Sequence, residues 1–171
     1  MEIPIIKVIA IDPGGTTGWA KGLIREGRMG VTAGQDEWNH IQIYNALDLY
    51  KPDIIVCERF DFRKRGVKQQ EAANLISREY IGVIHFYVQT QNLKLHSTPQ
   101  SSYERVSLFM QMPSEGVGGY WKEDSKLKED GVFNIGKPHA NDATRHLLQW
   151  FTFKEGYQYN KGGFYRLDGS Q

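Results

Sequence analysis

The chain has 171 residues, 40% of them hydrophobic and 24% charged, which fits a single soluble globular domain spanning 1–171. Its longest apolar stretches are too short to cross a bilayer, and its N-terminus lacks the basic start of a secretory signal. The single cysteine, Cys57, excludes an internal disulfide and is typical of a reducing compartment, so we expect a cytoplasmic protein without membrane contacts. With a net charge of +1, binding to nucleic acid would require a local basic patch.

The first third of the chain predicts four strands and one helix. Residues 3–11 are β-branched and almost continuously apolar, as in a strand buried on both faces. Residues 16–25 and 28–34 follow as two strands of an antiparallel meander. Apolar residues recur at helical spacing within 35–50, and 53–58 is a further short apolar run of the fully buried kind.

The middle of the chain has weaker patterns. A long helix is predicted over about 68–90, because apolar residues keep one stripe there. Residues 93–96 are predicted to form a short strand, and a helix over about 99–110 would begin at a proline. Residues 112–136 have no period and are predicted to form a long loop, a length that is usually functional or mobile.

The C-terminal part predicts one clear helix. It runs over about 138–153 with alanines and large apolar residues on one face, and a terminal strand within 157–167 is a weaker prediction. The order of elements indicates an α/β domain with a mixed five-stranded sheet flanked by helices. The antiparallel meander is expected to flank strands that pair in parallel.

Three acidic side chains lie where a purely structural carboxylate would be costly, and a histidine lies beside the third. Asp12 follows one buried strand and Glu58 ends another, so both emerge at the same edge if these strands pair in parallel. His139 and Asp142, three residues apart, share one face at the start of the last helix. Carboxylates this close repel one another, and a divalent cation would neutralise them.

Each of the four residues has a structural explanation when taken alone. A turn, a solvated strand end and the first turn of a helix all accommodate such groups without any function. It is the four-part arrangement that favours a metal site. We interpret Cys57 as a small core residue, and His146 as a hydrogen-bonded core histidine rather than a fifth ligand.

Three segments resemble the active-site motifs of RuvC-like Holliday junction resolvases, which have an RNase H-like fold. They are IDPGGTTGWA at 11–20, IIVCERF at 54–60 and KPHANDATRHLL at 137–148. They occur in the order of that family and at similar spacing, and the resemblance spans about 5–150. The family carries an Asp on the first strand, a Glu on the fourth, and an Asp or His three residues before an Asp on the final helix.

The resemblance implies that Asp12, Glu58, His139 and Asp142 are catalytic metal ligands. They would hold two Mg²⁺ or Mn²⁺ ions about 4 Å apart, with Asp12 bridging them, Glu58 on one ion, and His139 with Asp142 on the other. A metal-activated water would attack the phosphate in line and leave a 5′-phosphate. The implied substrate is branched DNA, above all the four-way junction, and the implied assembly is a homodimer because resolution needs two opposed nicks.

A basic segment with interleaved aromatic residues follows Glu58 directly. Such a mixture suits phosphate contacts together with stacking on an unpaired base, although a solvated charged loop is the structural alternative. Proximity to the metal ligands favours DNA binding. The residues predicted to contact DNA are Arg59, Phe60, Phe62, Arg63, Lys64, Arg65 and Lys68.

Other functions also fit parts of the sequence. The basic segment and 112–136 are unlike typical bacterial resolvases and closer to phage-type variants, so the expected source is a bacterial cell or its phage. A related nuclease could instead cut flaps or RNA–DNA hybrids, and a third reading is a junction-binding protein without catalysis. Residues 12–18 also resemble the phosphate-binding hairpin of actin-like kinases and ATPases, but those enzymes need two such domains.

Overall fold

The computed structural model describes residues 3–60, 67–96, 105–153 and 163–168, with the backbone alone for 67–74 and 94–96. The elements in chain order are β1 (Ile6–Asp12), β2 (Thr17–Arg25), β3 (Arg28–Asp36), α1 (His40–Tyr50), β4 (Ile54–Glu58), α2 (Val67–His96), β5 (Ser107–Gln111), α3 (Asp124–Glu129), α4 (Pro138–Phe153) and β6 (Phe164–Arg166).

The strands form one mixed sheet in the order β5-β4-β1-β2-β3-β6. The meander β1-β2-β3 is antiparallel, whereas β4 pairs parallel with β1, β5 with β4, and β6 with β3. The mixed sheet and the parallel centre are confirmed. The described residues contain six strands rather than five. The additional strand, β6, pairs with the edge strand β3 and lies within 157–167, where a terminal strand was the weaker prediction.

The sheet is covered by helices on both faces. Val8 and Ala10 of β1 face α4, and the alternating Ile9 and Ile11 face α1 and α2. All four side chains are fully buried, as the continuous apolar pattern of β1 predicts. Burial of a Val or Ile side chain contributes roughly 1.5–3 kcal/mol, so β1 contributes strongly to the stability of both sides of the core.

Two predicted elements beside α2 are wrong. Residues 93–96 are the last turn of α2, and Leu93 is 68% exposed, so its apolar side chain does not indicate a buried strand. No helix forms in the described part of 99–110. Residues 107–111 are instead the edge strand β5, where side chains alternate between exposed and more buried positions, and residues 99–104 lie outside the described residues.

The segment 112–136 is more ordered than the predicted loop. It contains α3, and the buried side chains of Trp121 and Leu127 join the core on the α4 side of the sheet. Asn134 and Asn141 exchange hydrogen bonds between this segment and α4, at 2.8 and 3.0 Å. The segment is therefore packed against the helix that carries two of the predicted ligands. None of the helices in the described ranges has the length and apolarity to span a bilayer.

Candidate metal centre and active site

The ends of β1 and β4 bring Asp12 and Glu58 to the same edge of the sheet. The two strands are parallel, with Ile11 opposite Cys57, so the residue that follows each of these lies level with the other. Both carboxyl side chains are partly exposed, Asp12 at 16% and Glu58 at 23%. They line one cleft of about 560 Å³ together with the turn after β1.

The first turn of α4 completes the cleft with His139 and Asp142. The ligand atoms of Asp12, His139 and Asp142 all lie within 4.8 Å of one another, and we call these residues the three-ligand group. Nδ1 of His139 is 3.5 Å from Oδ2 of Asp12. Glu58 lines the same cleft but lies outside this group. The structure thus brings together all four predicted residues, three of them within reach of a single ion.

The charges in the cleft are unfavourable without a cation. Burial, followed by the charges of Glu58 and Asp142, raises the pKa of Asp12 from 3.8 to about 6. Burial also raises the pKa of Asp142, although Arg145 opposes this shift. Carboxylate oxygens and one imidazole are a suitable donor set for Mg²⁺ or Mn²⁺, and the mutual repulsion of the carboxylates is what such an ion would relieve.

Arg145 holds the Asp142 side chain in place. Its side chain is only 7% exposed, and its Nη1 donates to Oδ1 of Asp142 at 2.7 Å. Its Nε donates to the carbonyl of Trp121 at 2.7 Å, and its Nη2 to Asp124 of α3. The guanidinium is therefore fixed from several sides, and it fixes one oxygen of Asp142 while partly neutralising it. No local pattern in the sequence indicates this role for Arg145.

Contacts from the meander fix the start of α4. Oε1 of Gln35 on β3 accepts hydrogen bonds from the backbone N–H groups of His139 and Ala140, at 3.0 and 3.4 Å. These are two of the amides that the first turn of a helix leaves without an internal partner. Gln35 thus acts as a cap supplied from a distant strand, and local sequence patterns give no signal for it.

The Thr17-Gly18 pair of the first motif has a structural explanation. The buried Thr17 hydroxyl donates to the carbonyl of Gly14 at 3.0 Å and closes the turn after Asp12. A Cβ atom on Gly18 would overlap the carbonyl group of His139, so only glycine lets α4 approach β2 this closely. The pair therefore supports the geometry on both sides of the cleft.

His146 is buried, as interpreted, and lies outside the three-ligand group. Its ring nevertheless contacts the candidate site, because Nε2 lies 2.6 Å from Oε2 of Glu58. Nδ1 lies 2.7 Å from Oε1 of the buried Gln111 at the end of β5. From the sequence, His146 was interpreted as a core histidine rather than a fifth ligand, and its contact with Glu58 was not predicted.

Two of the predicted DNA-contact residues line a second cleft beside the first. Arg59 and Phe60 form this cleft, of about 480 Å³, with Arg78 and His85 of α2, which the sequence analysis missed. The guanidinium of Arg78 lies 5.8 Å from the centre of the Phe60 ring, and Phe60 lines both clefts. The remaining predicted contacts, Phe62, Arg63, Lys64 and Arg65, lie outside the described residues, as does the side chain of Lys68.

No protein-family model and no curated protein matches the sequence. Among solved structures, the chain is similar to Thermus thermophilus RuvC in complex with a Holliday junction substrate, with 14% identity, 84% of this chain and 91% of that chain covered, and a TM-score of 0.58. It is also similar to the yeast mitochondrial Holliday junction resolvase Ydc2, with 12% identity, 88% of this chain and 79% of that chain covered, and a TM-score of 0.57. The fowlpox virus Holliday junction resolvase is similar with 11% identity, 85% of this chain and 97% of that chain covered, and a TM-score of 0.54.

These similarities define the fold. The chain has the fold of these Holliday junction resolvases, so the resemblance seen in the three motifs is confirmed at the level of the fold.

Proposed function

We propose that this protein is a divalent-metal-dependent endonuclease that cleaves four-way DNA junctions and related branched DNA. The observation that carries the proposal is the convergence of the three-ligand group, with Glu58 beside it, at one sheet edge of a RuvC-like fold. The residues come from two parallel strands and one helix far apart in the chain. Separate structural roles for them would not require such a convergence.

The four residues would hold two Mg²⁺ or Mn²⁺ ions, one on His139 and Asp142 and one on Glu58, with Asp12 shared. When bound, the ions supply an activated water and stabilise the leaving oxygen, and the product carries a 5′-phosphate. The protein itself contributes orientation. Arg145 fixes one oxygen of Asp142, and the contact of Gln35 with the first turn of α4 fixes the backbone of His139.

DNA contacts are proposed for the second cleft and the basic segment that begins at Arg59. Arg59 and Arg78 provide charge for phosphates, and Phe60 provides a ring between the metal centre and this charge. Stacking of an unpaired base on an aromatic ring contributes roughly 1–3 kcal/mol, so a branch point would be favoured over continuous duplex. The similar structure of RuvC with its junction substrate supports the assignment of branched DNA.

We also propose a symmetric homodimer. The apolar stripe predicted within 68–90 partly packs inward, since Tyr80 and Tyr87 are buried. The opposite face of α2 exposes Leu75, Phe86 and Leu93 at 56, 58 and 68%. These three residues lie on one face at a spacing close to the 3.5-residue repeat of paired helices. A second copy on this face would place two metal centres on one junction.

The test is cleavage of end-labelled four-way junction, flap, RNA–DNA hybrid and continuous duplex in Mg²⁺, Mn²⁺ or EDTA. We expect metal-dependent, paired nicking of the junction, and no cleavage by Asp142→Asn, which retains the shape of the side chain. Preferential cleavage of flaps or hybrids would replace the junction assignment, and cleavage unaffected by EDTA would contradict the metal centre. ATP hydrolysis without nuclease activity would favour the kinase-like alternative.

A further inference from the structure

A side-chain contact joins α4 to the end of β4. His146 is fully buried, and its Nε2 lies 2.6 Å from Oε2 of Glu58. Glu58 is the one predicted ligand that lies outside the three-ligand group. A buried imidazole therefore contacts the predicted ligand that stands apart from the other three.

The groups around His146 limit which ring nitrogen can donate a hydrogen bond to Glu58. Nδ1 of His146 faces Oε1 of Gln111 at 2.7 Å, and Nε2 of Gln111 is buried without a partner among the described residues. With the Gln111 amide as placed, Nδ1–H donates to its Oε1; with the amide turned over, Nδ1 accepts from the amide N–H and the ring hydrogen is on Nε2. A carboxylate that binds a cation carries no proton and can only accept, so Nε2–H of His146 donates to Glu58 whenever Glu58 is a metal ligand.

The imidazole has little freedom to move away from Glu58. A Cβ atom on Gly116 would overlap the His146 ring, so the backbone of the segment after β5 lies directly against it. Gln111 is itself fully buried at the end of β5, and its carbonyl accepts from the backbone N–H of Arg59, the residue after Glu58, at 2.6 Å. The ring is thus held between β5, the segment that follows it, and α4.

We propose that His146 is a positioning residue that makes Glu58 a one-oxygen metal ligand. Its hydrogen bond occupies Oε2 and leaves Oε1 to bind a cation in the cleft. Outer hydrogen bonds of this kind orient ligating groups and typically change metal affinity 10- to 100-fold when they are lost. The proposal rests on the metal-dependent function proposed above, but it concerns binding of the ion by the protein alone.

A matched pair of variants tests the proposal. His146→Gln can place an amide N–H where Nε2 lies and donate to Glu58, whereas the shorter His146→Asn reaches only toward Gln111. Binding of Mn²⁺ without DNA is measured by titration calorimetry and by the EPR signal of free Mn²⁺. Circular dichroism melts of the metal-free proteins verify that both variants fold. We expect at least tenfold weaker binding at one site in His146→Asn, and binding within threefold of wild type in His146→Gln.

A double-mutant cycle separates positioning from general stability. In a Glu58→Gln background, His146→Asn should cause little further loss of Mn²⁺ affinity, because the group that it positions is gone. Equal losses in both backgrounds, or wild-type binding by His146→Asn, would overturn the proposal. If the wild type cuts no branched DNA but the cycle shows this coupling, the proposed activity fails while the positioning role stands.

Discussion

Gly18 on β2 lies directly against the backbone of His139 at the start of α4, with no room between them for a Cβ atom. The helix is held there by two further contacts, since Gln35 accepts from the N–H groups of His139 and Ala140. Because His139 and Asp142 lie on the first turns of this helix, the distance between β2 and α4 sets the distance between these residues and Asp12.

Gly18→Ala should therefore disrupt the site without removing any ligand. The added methyl group forces the first turn of α4 away from β2, and overpacking of this kind costs about 1–3 kcal/mol. We expect a lower melting temperature and at least tenfold weaker Mn²⁺ binding. Gly82→Ala is the matched control, since a Cβ there meets no atom within 4 Å. Equal Mn²⁺ affinities for Gly18→Ala and wild type would contradict the proposed dependence.

Asp12→Asn should stabilise the metal-free protein while abolishing cleavage. A pKa raised from 3.8 to about 6 means that the folded state binds this proton more tightly than the unfolded chain. Above the folded pKa, the charged Asp12 side chain therefore lowers the free energy of unfolding by about 3 kcal/mol. This penalty disappears as the pH falls toward 3.8, the pKa in the unfolded chain.

Thermal melts in EDTA test whether the charge of Asp12 destabilises the metal-free protein. Asp12→Asn should melt above wild type at neutral pH, and the difference should shrink as the pH falls toward 3.8. Addition of Mn²⁺ should raise the melting temperature of wild type more than that of the variant, because ligand binding stabilises the folded state. A metal-free variant that melts below wild type would show that Asp12 stabilises the apo fold.

His139 should influence which metal supports activity. Its Nδ1 lies 3.5 Å from Asp12, and imidazole is a softer ligand than carboxylate, so it favours Mn²⁺ relative to an all-oxygen site. We expect His139→Asp to retain cleavage with a lower Mn²⁺/Mg²⁺ activity ratio, and His139→Ala to lose most activity. Unchanged activity of the alanine variant in both metals would reduce His139 to a helix-start residue.

The proposed dimer can be tested at Phe86, which is 58% exposed on α2. A charge at the centre of an apolar interface is costly, so Phe86→Glu should shift the protein toward monomer in sedimentation velocity at micromolar concentration. Leu49→Glu, on α1 and 87% exposed, is the matched control and should leave the sedimentation coefficient unchanged. The monomeric variant should release singly nicked cruciform plasmid, whereas wild type should give linear product. Dimers formed equally by Phe86→Glu and wild type would place the interface elsewhere.

The sequence predicts elements well where the apolar pattern is unambiguous. The buried strand that ends at Asp12 and the helix Pro138–Phe153 were predicted to within a few residues, because the strand is a continuous apolar run and the helix has a clear apolar face. The strand predicted over 93–96 was wrong because a few alternating apolar residues also fit the exposed end of a helix. The strand Ser107–Gln111 was missed because Pro99 suggested a helix start.

The contacts that support the ligands were beyond local patterns. Gln35 and His139 are 104 residues apart in sequence, and Glu58 and His146 are 88 apart. Neither pair belongs to a motif whose spacing indicates a contact. Side-chain hydrogen bonds between distant elements become visible only when the sheet register and the position of α4 are known.

Arg145 has a consequence for how the cleft acquires its ions. Its guanidinium is shared between Asp142 and Asp124, so it cancels only part of the negative charge that Asp142 brings to the cleft. Phosphate oxygens of a bound DNA strand would add negative charge beside the same carboxylates. In the enzyme proposed here, a cation and DNA should therefore each strengthen the binding of the other at this cleft.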